Sequence, residues 1–183
     1  MAAISVQMYK ASRPRLDPKM FFETFLRVLI TLSAAMSVVL SSISVCDGQW
    51  LVDPAERTFN LWKTCRTAAE PQCDAEMAGL NQGMVLVRTA VCLAVVVAIF
   101  GLELLMVSQL CEDGNSRGKW NLGSLLLLIS FFLSSSGTLT YIALLRDFVT
   151  FSSLSLAFWC QFLGVFLFFL NGISGLYFNH LTL

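Results

Sequence analysis

Residues 85–110 read VLVRTAVCLAVVVAIFGLELLMVSQL, a run interrupted by two charges, Arg88 and Glu103. About 20 residues of α-helix cross the hydrocarbon core of a bilayer, so this run is long enough to span one. One such block alone would also suit a helix buried in a soluble core. Three more blocks, at 26–45, 122–145 and 154–178, remove that alternative, because too little polar sequence remains to wrap so large a core. The composition agrees. Of 183 residues, 56% are hydrophobic and 13% charged, and the mean hydropathy is +0.72. An ordinary soluble domain carries about a quarter charged residues. Twelve basic and twelve acidic residues cancel, so no overall field attracts polyanions. A disordered tail, a nucleic-acid binder and a highly charged soluble enzyme are excluded.

The first block is a retained span rather than a cleaved signal peptide. Its apolar stretch exceeds the roughly 7–15 residues of a signal core, and a long polar segment precedes it. The segment 1–25 carries Lys10, Arg13, Arg15 and Lys19, with Arg27 at the membrane edge, and the connection 111–121 carries Arg117 and Lys119. The connection 46–84 sets Arg57, Lys63 and Arg66 against Asp47, Asp53, Glu56, Glu70, Asp74 and Glu76. The positive-inside rule therefore puts both termini and 111–121 in the cytoplasm and 46–84 outside. The basic amino-terminal cluster is mainly a determinant of topology; attraction to anionic inner-leaflet lipid is its second reading.

The outer connection is too short to fold without staples. Its run Arg57-Thr58-Phe59-Asn60-Leu61-Trp62-Lys63-Thr64-Cys65 alternates imperfectly and holds β-branched and aromatic members, which reads as strands of a small antiparallel sheet on the bundle. Cys65 and Cys73 either form a bridge, worth about 2.5 kcal/mol in the chain-entropy model, or stand as two thiols. An oxidising exterior favours the bridge. Trp50 and Trp62 are placed to seat the sheet on the helix ends, or else to act as simple interfacial anchors.

Trp50, Asn60-Leu61-Trp62, Cys65 and Cys73 together resemble the W–GLW–C–C signature of the claudin-like four-span superfamily, which includes claudins and calcium-channel gamma subunits. Asn60 departs from the usual glycine, which puts the turn before Trp62 in doubt. SVCDGQWL at 44–51, AIFGLE at 98–103 with CED at 111–113, and FFLNGISGL at 168–176 resemble the gamma-like branch of the calcium-channel subunits. The resemblance implies a membrane protein, mainly α, built as a left-handed bundle of four transmembrane helices with a small extracellular antiparallel β-sheet. It also implies a plasma-membrane, non-conducting auxiliary subunit that binds a pore-forming voltage-gated calcium-channel subunit and stabilises inactivated or closed states. The alternative function is a claudin-like junctional or adhesion protein. The short second outer connection, 146–153, and the tail 179–183, too short to reach a PDZ partner, weigh against it.

The intramembrane polar residues are Arg27, Arg88 and Glu103. Arg88 is expected to reach outward to headgroups or to Asp47. Glu103 is expected either to pair with Arg27 at a similar depth or to stay protonated or water-facing at the boundary. Small residues, Ala94, Ala98 and Gly101, Ser134 to Gly137, and Gly164, Gly172 and Gly175, permit close helix contact inside the bundle. The aromatic fourth span supplies lipid-facing or core bulk; Phe166 and Gly172 mark the face to test for partner contact. Cys111 is a candidate for palmitoylation. Cys92 and Cys160 read as small hydrophobes and Cys46 as free. No Asn-x-Ser/Thr sequon occurs, so no N-glycan is expected. The one histidine, His180, sits in the tail, and no nucleophile–base pair, metal spacing or phosphate loop can be drawn. Neither an enzyme nor a transporter is expected, and no cofactor, metal, nucleic acid or small-molecule substrate.

Overall fold

The computed structural model describes residues 18–53, 57–62, 64–66, 72–74, 81–110, 115–146 and 153–181. Among these residues four helices carry the chain back and forth: α1 (Pro18–Asp47), α2 (Asn81–Leu110), α3 (Ser116–Leu144) and α4 (Leu156–Leu181). Each contains a stretch long and apolar enough to cross a membrane, which makes this a multi-pass membrane protein. The helices overrun the apolar blocks. α1 starts at Pro18, a first-turn residue that has no amide to leave unpaired. α3 starts at Ser116 rather than 122, and α4 continues to Leu181, so most of the expected tail is helical. Hydropathy marks where lipid begins, whereas the backbone keeps its helical hydrogen bonds into the polar boundary.

Between α1 and α2 lie β1 (Gln49–Asp53), β2 (Arg57–Asn60), β3 (Thr64–Arg66) and β4 (Gln72–Asp74), an antiparallel sheet in the order β1-β2-β3-β4. The register faces Thr58 with Cys65 and Cys65 with Cys73. Asn60, where the signature usually has glycine, pairs with Gln49 at the end of β2. The register slips between Gln49 and Leu51, which makes Trp50 a bulge residue. In a regular strand, neighbours point to opposite faces. The bulge lets Trp50 and Leu51 both be fully buried.

The helices pack most extensively as α2 on α3, with α1 on α4 and α3 on α4 next. Glycines set the closest approaches. A Cβ on Gly101 would come within 3.0 Å of the Gly123 carbonyl oxygen, and one on Gly123 within 2.8 Å of that of Gly101. Gly164 lies against Ser41 and the Ser37 carbonyl, and Gly172 against Leu128. The core divides in two. One cluster, around Trp50, Leu61, Val87, Tyr141 and Phe158, joins the sheet to the helix ends nearest it. The other, around Ala34, Ala98, Leu105, Trp120 and Phe168, fills the opposite half.

Candidate functional site

At the sheet end, α1 stops at Gly48, which adopts φ of 63° and donates its N–H to the Ser44 carbonyl. That left-handed cap suits glycine. Space demands it as well, since a Cβ there would lie 2.8 Å from Cδ1 of Trp62. The Gly48 carbonyl then accepts from the amides of Trp50 and Leu61, which ties both halves of the tryptophan signature to one helix end. The Trp50 indole is buried; its Nε1 donates to the Ser44 carbonyl at 3.1 Å, and its ring meets Tyr141 and Phe158 edge-on. Trp62 is half exposed, and its Nε1 donates to the Val45 carbonyl at 2.9 Å.

Arg88 does not turn to Asp47. Its Nε donates to the Leu61 carbonyl and its Nη2 to the Trp62 carbonyl, and its guanidinium lies 5.8 Å from the Trp62 ring centre. Leu61 and Trp62 lie between β2 and β3, outside the paired register of the two strands, and a planar guanidinium suits the task of meeting both carbonyls. Opposite, Ser155 opens α4. Its hydroxyl donates to the Gln49 carbonyl and accepts from the Phe158 amide, while its own amide donates to the Trp50 carbonyl. Leu154 bridges Leu51. The sheet is thus fastened to α1, α2 and α4. The sequence reading missed Ser155, although a serine just ahead of an apolar run is a legible cap.

The other end uses the same residue types differently. Trp120 is buried and donates its Nε1 to the Gly175 carbonyl at 3.0 Å. The Arg27 guanidinium lies 5.5 Å from the ring centres of both Trp120 and Phe178. The Arg27 carbonyl accepts from Nε2 of Gln109, which also meets the Thr31 hydroxyl. These contacts overturn the expected Arg27–Glu103 pair. The register sets Arg27 level with Gln109, about 9 Å along α2 from Glu103. Glu103 also faces outward. Among the described residues no ion pair joins the two.

Further polar groups lie inside the bundle. Gln161 donates Nε2 to the Ser134 hydroxyl at 2.6 Å, linking α4 to α3. Ser124, Ser130, Thr138 and Asn171 donate to carbonyls one turn back on their own helices. Among the described residues, Ser41 Oγ, Ser44 Oγ and Gln161 Oε1 are buried without a hydrogen bond. Phe166 lies on the exterior of α4, beside an apolar groove of about 480 Å³ between α3 and α4. Gly172 does not share that face; it is buried against Leu128 of α3. Cys46 is free and exposed, while Cys92 and Cys160 are free and half-buried. Lys10, Arg13, Arg15, Lys63 and Cys111 lie outside the described residues, as does the connection 147–152. Among the described residues no group of three or more histidine, cysteine or acidic side chains is placed to hold a metal. What the arrangement offers is a rigidly seated sheet and broad apolar helix faces, which are means of binding.

The sequence model of the voltage-dependent calcium channel gamma-like subunit protein family matches residues 5–183. A Homo sapiens protein named voltage-dependent calcium channel gamma-like subunit is 50% identical over 187 positions, covering 100% of this chain and 98% of that protein.

Proposed function

The chain belongs to the voltage-dependent calcium channel gamma-like subunit family, and from that premise we propose that it is a non-conducting auxiliary subunit that binds the pore-forming subunit of a voltage-gated calcium channel. The observation that carries this reading is identity at half of all positions along the whole length of a protein so named. In this reading the protein resides in the plasma membrane, with a left-handed bundle, both termini cytoplasmic and the sheet outside. The layer of Arg88 and Trp62 then marks the outer boundary and that of Arg27 and Trp120 the inner. The rise from Arg88 to Gln109 is about 32 Å, close to the thickness of a bilayer's hydrocarbon core.

A Cys65–Cys73 disulfide belongs to the same reading. The register sets the two residues opposite each other across β3 and β4. Directly opposed residues have Cα atoms about 4.5–5.5 Å apart, within the range a disulfide spans. The bridge would pin the far edge of the sheet, as Gly48 and Arg88 pin the near edge.

Regulation follows from state-dependent binding. A subunit that binds the inactivated or closed channel more tightly by about 1.4 kcal/mol shifts the gating ratio tenfold. The test is co-expression of the chain with a pore-forming calcium-channel subunit and recording of current amplitude and steady-state inactivation. Smaller currents, or inactivation at more negative voltage, support the proposal. Unchanged amplitude and gating, with both proteins at the cell surface, overturn it.

A further inference from the structure

Helix α2 carries a carboxylate that the fold leaves outside. Ala94, Ala98, Gly101, Leu105 and Ser108 turn inward along one stripe. Glu103 lies two residues beyond Gly101, about 200° around the helix, and is exposed. Ile99, Phe100, Met106 and Val107 flank it on the exposed face. Gln109 marks the depth of the Arg27 layer, so Glu103 stands about 9 Å inside that layer, at the level of lipid tails. Among the described residues no ion pair reaches it, and the two arginines of the bundle ends are engaged elsewhere, Arg27 over two rings and Arg88 on two carbonyls.

An acidic side chain in a span is unfavourable in lipid, and such residues seldom face the tails unpaired. The rest of α2 presents the same face. Only 28% of its most apolar stretch is buried, against 39% in each of the other three helices.

The geometry points to a docking face: the exposed strip of α2 centred on Glu103 receives a transmembrane helix of another membrane protein, one that carries lysine or arginine at the depth of Glu103. Charge complementarity selects this occupant. A lipid tail brings no cation. A second copy of this chain brings Arg27, which is already stacked on Trp120 and Phe178, or Arg117 and Lys119 in the first turn of α3, which stand nearer the boundary than Glu103 because Ser116 lies beside Ser108. The flanking apolar side chains supply packing, and the ion pair fixes the depth at which the two helices meet. The inference rests on the auxiliary-subunit reading, which makes the pore-forming calcium-channel subunit the probe.

The experiment uses the full chain, co-expressed with that subunit. A photo-crosslinking residue replaces Phe100 or Met106, or replaces Leu139 on an exterior face of α3 as a control. Glu103→Gln and Glu103→Lys are compared with the wild type for co-purification, after gel filtration establishes equal folding. Crosslinks from 100 and 106 to a partner helix containing lysine or arginine are expected, with none from 139. Glu103→Gln is expected to lower co-purification about tenfold. Glu103→Lys is expected to abolish it, with recovery when the crosslinked basic residue is changed to glutamate. Full co-purification of well-folded Glu103→Gln overturns the inference, as do crosslinks confined to lipid or to a second copy. If the wild type captures no pore-forming subunit, the auxiliary reading fails. The crosslinks from Phe100 in native membranes then decide the docking face alone: a basic transmembrane helix upholds it, and lipid or a second copy overturns it.

Discussion

The two ends of the bundle are each built around a buried tryptophan and an arginine, yet they hold by different means. At the sheet end, Trp50 is packed by a strand bulge, and Arg88 spends its donors on the carbonyls of Leu61 and Trp62. At the opposite end, Trp120 is packed by helix on helix, and Arg27 rests on aromatic faces. The sheet end must satisfy a turn and strand ends that lack helical hydrogen bonds. Among the described residues, the other end has helix termini only. An arginine that caps backbone carbonyls is therefore a structural part whose loss strands acceptors. An arginine over rings contributes attraction and leaves nothing unpaired when removed.

This contrast can be broken or sharpened by substitution, beginning with the tryptophans. Trp50→Ala should destabilise the protein by about 3–5 kcal/mol. Limited proteolysis should then open the segment between α1 and α2 while the helices persist. Trp120→Ala should be similar in size and leave that segment protected. Equal opening by both variants would mean that the two halves of the core do not act separately. Gly48→Ala comes next, at about 2 kcal/mol, from a positive φ that L-residues resist and the collision with Trp62. Thermal unfolding in detergent measures it.

Arg88→Met should cost about 2 kcal/mol by freeing two carbonyls, against about 1 kcal/mol for Arg27→Met, which removes ring attraction alone. Arg88→Lys should rescue only part of the loss, since an ammonium cannot span both carbonyls as the guanidinium does. The reverse ranking of the two arginines would contradict the contrast. Trp62→Phe is the smallest change, about 1 kcal/mol, for one hydrogen bond from a half-exposed ring to Val45.

The spans were legible because long apolar runs such as 85–110 have few other uses, and β2 and β3 because residues 57–65 alternate, if imperfectly, with β-branched and aromatic members; β1 is too mixed and β4 too short to show. The depth of Arg27 was not legible. Counting from the edge of an apolar block gives position along one helix, whereas the register between α1 and α2 is set by side chains such as Gln109 and Thr31. The direction of Glu103 was within reach of the sequence. The small-residue stripe of Ala94, Ala98 and Gly101 sets the inward phase of α2, and Glu103 falls on the far side of it. The pairing of Arg88 with Asp47 failed for a different reason. A carbonyl freed by a turn leaves no mark in the sequence, while a nearby Asp47 does.

The most direct measurement is the stoichiometry of a purified complex. The full chain and a pore-forming calcium-channel subunit, each with its own fluorescent tag, are co-expressed, solubilised in mild detergent and separated by size. An auxiliary subunit should elute with the channel at a fixed ratio that excess expression does not raise. Elution of the chain at its own size, with the channel free of it at every expression level, would contradict the assignment.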